Sequence, residues 1–289
     1  MSNRALAVAH GAVTIVNAIA LGRGAAFGVD LWTKAEVKLT SEAGIVEVEI
    51  LSDVEECPQL VKKTALGVMK RFGLEKSFGA QIRTQSNIPI ARGLKSSSTA
   101  ANATALATVA ALGKHLDDLE VIKIGVQAAF DAQVTLTGAF DDACASYFGG
   151  VVITDNLNQK ILKQMTLPQE LAVLFYVPSQ KAYTINADTT RLKTVKPLVE
   201  IAFEKAMQGE IWDALTLNGL AYSAASNQDM TIAIDALAAG ATAAGLCGKG
   251  PAIAAITSSD AIDKVRVSLQ KYEGEIILAY PNSKKATVI

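Results

Sequence analysis

Apolar and polar positions along the chain change period several times, and each change marks an element. Residues 5–9 and 14–19 are short apolar segments around Gly11, with a glycine-rich stretch over 22–28, a pattern that predicts a hairpin and a loop. Residues 32–39 and 45–50 alternate polar and apolar side chains with Glu42, Ala43 and Gly44 between them, which predicts a second β ribbon. Pro58 then opens a helix through Phe72, where Leu60, Val61, Ala65, Leu66, Val68 and Met69 make one apolar face and Gly73 is the stop. Alternation returns over 80–88 as a strand, and the alanine-rich run 100–112 predicts a helix. Asp117 and Glu120 have capping-box spacing ahead of an amphipathic run reaching residue 132.

Beyond residue 150 strands at 151–154, 161–166 and 171–177 precede helical runs at 197–207, 211–217, 220–226 and 230–239. A strand at 253–257, a helix at 260–272 and a strand at 275–280 complete the chain. The class is α+β. The change of pattern divides it into an N-terminal domain over 1–155 and a C-terminal domain over 156–289.

Chemistry concentrates where the strand at 80–88 meets the helix at 100–112. The connecting residues run Pro89-Ile90-Ala91-Arg92-Gly93-Leu94-Lys95-Ser96-Ser97-Ser98-Thr99-Ala100. Free N–H groups at a helix start, a glycine that admits close approach and hydroxyls able to face Mg²⁺ together suit a phosphate. A serine-rich helix cap is the alternative reading of the same residues. No Walker A sequence occurs, and Gly22, Gly24 and Gly28 are spaced one residue too widely for a dinucleotide fingerprint.

Two further stretches carry polar groups in apolar surroundings. Asp141 and Asp142 stand side by side in the small-residue segment 137–150, where buried carboxylates need a cation, a donor or a substrate hydroxyl. Residues 244–252 hold glycines at 245, 248 and 250 and read as a loop whose amides form an anion nest. The polar segment 181–196, with Tyr183, Asn186, Asp188 and Arg191, is either a pocket rim or a solvated connection.

Composition narrows the partners. Half the residues are hydrophobic, 19% are charged, and the formal net charge is -1 with no basic stripe, which points away from nucleic acid and anionic membrane and toward a small molecule. Cys57, Cys144 and Cys247 are isolated and only His10 and His115 are present, which argues for a reducing compartment, the cytoplasm, and against structural zinc.

The run from Pro89 to Ala100 resembles the second signature of the GHMP small-molecule kinases. Lys95 followed by three serines, with the stretch from His10 to Leu31, resembles the archaeal shikimate kinase branch of that superfamily. The resemblance implies an N-terminal domain like ribosomal protein S5 domain 2, a ferredoxin-like C-terminal domain, and ATP with Mg²⁺ as cofactors. Pro89, Gly93, Leu94, Lys95, Ser96, Ser97 and Ser98 would form the ATP phosphate site. Members with a catalytic aspartate place it seven positions before the closing glycine pair, here Asp142 counted from Gly149, with Lys95 as its catalytic neighbour. Ser97 and Asp131, eleven positions before Asp142, would face the metal. Asn17, Asp141, Asp142, Arg191, Gly248 and Gly250 would meet the acceptor, expected to be shikimate at its 3-hydroxyl. Homoserine and mevalonate kinases, or a sensor without turnover, are the alternatives, and a homodimer is compatible with the resemblance.

Overall fold

The computed structural model describes residues 3–52, 56–167, 170–179 and 189–289. The predicted rim residues Tyr183, Asn186 and Asp188 lie outside them.

The first feature of the fold is one long antiparallel pair, β1 (Arg4–Val16) with β2 (Arg23–Thr40). The two apolar segments around Gly11 are thus one strand, not a hairpin, and Gly24 and Gly28 lie inside β2 instead of in a loop. The misreading has a physical cause. Along the middle of this pair both faces are buried, Val13, Ile15 and Phe27 toward one core and Ala12 and Ala26 toward the other, so no polar alternation survives to mark a strand. Gly24 and Gly28 are glycines because neighbours press on the strand; a Cβ on Gly28 would lie 2.9 Å from the Asn282 carbonyl oxygen and from Gly149 Cα.

The far edge of β2 forks. Its first residues pair with β5 (Val151–Asp155), which pairs with β6 (Lys160–Met165), and its last pair with β4 (Gly79–Ser86). β3 (Val46–Ile50) lies parallel to β4, so the expected 32–39/45–50 ribbon does not form; β4 inserts between them. With β11 (Thr287–Val288) beside β1 the sheet has seven strands. It therefore extends to Met165 and takes back the C-terminus, so the change of sheet comes after Met165, beyond the expected boundary at 155.

Four helices cover one face: α1 (Gln59–Arg71), α2 (Ser96–Ala111), α3 (Asp118–Asp131) and α4 (Phe140–Phe148). α2 is central and buried nearly all round, which only its Ala and Thr side chains permit against sheet, α1, α3 and α4 at once. The capping box at α3 does not form. Asp117 makes no side-chain cap, and Glu120 accepts from Arg71 instead, at 2.7 Å.

The second layer is a four-stranded antiparallel sheet in the order β10-β7-β9-β8, made by β7 (Leu171–Val177), β8 (Ala243–Leu246), β9 (Ile253–Ser258) and β10 (Glu275–Ala279). With α5 (Thr189–Lys193), α6 (Lys196–Gln208), α7 (Ile211–Ser226) and α8 (Thr231–Ala238) ahead of β8, and α9 (Ile262–Leu269) after β9, this is the ferredoxin-like order. α7 is one helix where the sequence pattern suggested two. Gly219 interrupts the pattern because it faces Gly245 of β8 with no room for a side chain. Gly245 likewise belongs to a strand, so the predicted loop shortens to 247–252.

α7 also fastens the layers together. Asn218 Oδ1 accepts the amide of Asn17 at 3.0 Å, and the Tyr222 hydroxyl accepts the amide of Ala20 at 3.0 Å, so the turn after β1 is held from the other lobe. Trp212 packs edge-on to Phe27 at 5.6 Å, and one apolar cluster runs through both layers.

Gly219→Ala drives a methyl into the Gly245 backbone and should cost about 1–3 kcal/mol, the ordinary penalty for overpacking. Urea denaturation should show a lower midpoint with an unchanged slope; an unchanged midpoint would show that α7 and β8 can separate freely.

Candidate active site

The loop after β4 reaches α2 through three left-handed residues, Ala91 at φ 56°, Gly93 at φ 90° and Lys95 at φ 66°. Only Gly93 is forced by space, since a side chain there would overlap the Cys247 carbonyl. Leu94 anchors the loop in the core at 1% exposure. Lys95 is the residue before the helix and offers no side-chain cap, so the serine cap is not what the loop builds. Instead the Thr99 hydroxyl donates to the Lys95 carbonyl at 2.9 Å, and Ser96, Ser97 and Ser98 line a cavity of 290 Å³ at the positive end of α2.

The carboxylates arrive on the first turn of α4, whose start is set by left-handed Gly138 and Ala139. Lys95 Nζ meets Asp142 Oδ2 at 3.0 Å, with both side chains largely withdrawn from solvent. Asp142 Oδ1 is buried without a hydrogen-bond partner. Asp141 has a different partner: its Oδ1 accepts from Asn156 Nδ2 at 2.8 Å, and Asn156 Oδ1 accepts from the Thr154 hydroxyl at 2.6 Å. Gly24 supplies the space beside Asp141 that a side chain would fill.

These positions shift the titrations. Burial, then the neighbouring charge of Asp142, raises the Asp141 carboxyl to about 7, against the Asn156 hydrogen bond and Lys95. For Lys95 burial acts to lower the ammonium, but Asp142 and Asp141 together outweigh it and hold the pKa above the ordinary lysine value.

A third segment closes the site. The Gly248 amide donates to Thr14 Oγ1 at 3.0 Å, the Gly250 amide to the Cys247 carbonyl at 2.8 Å, and the Ala252 amide to the Arg92 carbonyl at 3.1 Å. Gly248 also leaves room for the Lys95 ammonium, which a Cβ would approach to 2.7 Å. Lys249, between the two glycines, lines the cavity, and burial followed by repulsion from Lys95 lowers it to about 8.

Of the residues expected at the site, Asn17, Gly93, Lys95, Ser96, Ser97, Ser98, Asp141, Asp142 and Gly248 line this one cavity. Leu94 and Gly250 shape its frame without lining it, and Pro89 borders a separate cavity with Arg92. Two expected residues are not brought in. Asp131 ends α3, exposed, with its Oδ1 accepting from Gln127 at 2.8 Å, and Arg191 is exposed on α5 away from the lining. Among the described residues no group of three or more His, Cys, Asp or Glu is gathered for a metal. The Ser97 hydroxyl in the lining is a hard oxygen of the type that Mg²⁺ takes. Thr14, Asn156 and Lys249 were not foreseen. Thr14 had one signal, a lone hydroxyl in an apolar run; Asn156 had none.

A family model for the GHMP kinases N terminal domain matches residues 59–150, and one for GHMP kinases C terminal matches 199–274. The chain is 43% identical to the shikimate kinase of Methanosarcina mazei over 97% of its own length and 95% of that protein. It is 44% identical to the shikimate kinase of Pyrococcus furiosus over 88% of its length and 92% of that protein. Among solved structures, a homoserine kinase from Cytophaga hutchinsonii superposes with a TM-score of 0.76 at 18% identity, covering 100% of this chain and 98% of that one. The mevalonate kinase of Methanococcus jannaschii gives 0.77 at 16% identity, covering 96% and 98%.

The folded chain keeps a proton on Asp141 up to about pH 7, whereas the unfolded chain releases it near the ordinary value of 3.8. The stability this contributes is fully present below 3.8 and is lost as pH rises through about 7. Thermal melts across that window should show this decline in the wild type and a flatter profile in Asp141→Asn; identical slopes would remove Asp141 as the source.

Proposed function

The chain belongs to the GHMP kinase family of small-molecule kinases, and from that premise we propose that it transfers the γ-phosphoryl group of ATP to the 3-hydroxyl of shikimate. The acceptor rests on the full-length similarity to shikimate kinases, and the chemistry on one observation: Lys95 and Asp142 meet beside the uncapped start of α2.

In this reading the first amides and hydroxyls of α2 hold the β and γ phosphates, where free N–H groups and the helix dipole favour anions. Asp142 Oδ1, buried and unpartnered, accepts the proton of the attacking hydroxyl. Lys95 orients the same carboxylate through its other oxygen and sets a fixed positive charge beside the transferring group. The transition state of such a transfer is loose, so positioning and electrostatic stabilisation carry most of the rate. Ser97, in the cavity lining, would hold Mg²⁺, which would supply positive charge to the phosphates; Asp131, turned away from the cavity, would not. Three free thiols agree with a cytoplasmic setting.

The assay is ADP release with Mg-ATP across shikimate, homoserine, mevalonate and galactose, with an acceptor-free blank. Turnover confined to shikimate is expected, and turnover confined to another acceptor would overturn the substrate. Asp142→Asn should lower kcat by at least ~100-fold with the melting profile of a folded protein; near wild-type kcat would take Asp142 out of proton transfer.

A further inference from the structure

Asp141 and Asp142 follow one another on the first turn of α4, and both line the cavity. Each has one oxygen engaged by a side chain, Asp142 Oδ2 by Lys95 at 3.0 Å and Asp141 Oδ1 by Asn156 at 2.8 Å. Among the described residues no side chain bonds the second oxygen of either. Proton transfer uses Asp142 and leaves its neighbour without a task, although Asp141 is only 3% exposed and burying a carboxyl is costly.

The support behind Asp141 is built from buried polar groups. Asn156 Nδ2 donates to it, the Thr154 hydroxyl donates to Asn156 Oδ1 at 2.6 Å, and the Asn156 backbone amide donates to the Gly22 carbonyl at 2.9 Å. Thr154 belongs to β5 and stands opposite Gly24 of β2, the residue whose missing side chain makes room for the Asp141 carboxyl. Thr154 and Asn156 are buried as well, so the three side chains form one line closed to water that ends in the cavity lining. Apolar side chains of the same shape would fill that space with similar stability. A hydrogen-bonded line instead fixes the place and angle of its last member.

We propose that Asn156, braced by Thr154, is a positioning residue that holds Asp141 to receive the acceptor hydroxyl next to the one phosphorylated. On shikimate this is the 4-hydroxyl, because the other carbon beside position 3 belongs to the ring double bond and carries none. Two hydroxyls on neighbouring carbons then meet carboxylates on neighbouring residues, one for proton transfer and one for recognition. An acceptor with a single hydroxyl leaves Asp141 unused, so the pair selects a vicinal diol. The inference rests on the kinase reading above and names its specificity device. Asn156 also bears on the charge of Asp141. Burial and Asp142 oppose the ionised form, whereas Asn156 and Lys95 favour it, and an ionised carboxyl accepts a hydroxyl hydrogen bond more strongly than a neutral one.

Shikimate, 4-deoxyshikimate and 5-deoxyshikimate separate this role from a structural one. In the wild type 4-deoxyshikimate should lose about 10- to 100-fold in kcat/KM against shikimate, the range for a hydrogen bond to a charged group. In Asp141→Ala that ratio should collapse to within about twofold. In Asn156→Leu, of like size but without a donor, the ratio should fall by at least about threefold through the KM for shikimate, while the KM for ATP stays within about twofold. The ratio of shikimate to 5-deoxyshikimate should not move. Thr154→Val carries the same comparison should Asn156→Leu not fold. Equal turnover of shikimate and 4-deoxyshikimate by the wild type overturns the proposal. So does a folded Asn156→Leu, or Thr154→Val in its stead, that keeps the full ratio or loses all three acceptors alike. Wild-type silence with shikimate overturns the kinase-substrate reading and the inference with it. Turnover on a different vicinal diol with the same dependence on Asn156 overturns shikimate alone and upholds the residue.

Discussion

The contact between Lys95 and Asp142 is the interaction on which the rest of the site depends. Two opposite charges are taken out of water to within 3.0 Å of each other, and such burial is favourable only where geometry and further partners compensate the lost hydration. The surroundings supply both. Lys95 is turned inward by a left-handed backbone at the start of α2, Asp142 sits on the first turn of α4 where the helix dipole favours an anion, and Gly248 leaves the ammonium its space. One carboxylate oxygen is used by the lysine. The other is unpartnered in the cavity, the arrangement a hydroxyl donor would complete.

Asp141 shows how two adjacent carboxylates take different roles. They share a helix turn but face different neighbours, one a lysine and the other an amide braced by Thr154. The amide holds Asp141 without neutralising it, so burial and the charge next door dominate, and the group is partly protonated near neutral pH. The cavity consequently carries less negative charge than its residue list suggests. Together with Lys249 and the open end of α2, that favours anionic ligands.

Close approach of backbone is the second theme. α2 touches the sheet and three helices because nearly every side chain on it is Ala, Ser or Thr. Gly24, Gly28, Gly93 and Gly219 each stand where a Cβ would collide with a neighbouring carbonyl, carboxylate or backbone, so the glycines of this chain mark contacts between layers more often than flexible turns. The two lobes meet through a core cluster common to both, and hydrogen bonds from α7 hold the turn containing Asn17. The cavity is therefore walled from both sides by fixed elements.

The sequence by itself determined the local chemistry. The strand-to-helix loop with its serines, the adjacent carboxylates in a small-residue segment and the glycine-rich loop over 244–252 all depend on neighbours along the chain, and they stood out on that scale. What the tertiary structure decided was everything that depends on which face is buried and what packs on it. The strand β1 read as two pieces because both its faces are covered, β3 read as the partner of β2 because a parallel insertion by β4 leaves no local trace, and α7 read as two helices because Gly219 answers to Gly245 and not to its own turn. Asp131 and Arg191 were placed by spacing and resemblance, but helix phase and lobe geometry turn both away from the cavity. Nor could the chain alone show that Lys95 reaches Asp142, or that Lys249 lines the same cavity, because the first contact spans 47 residues, counting 142 minus 95, Lys249 lies farther along still, and long-range pairing is set by topology rather than by any local pattern.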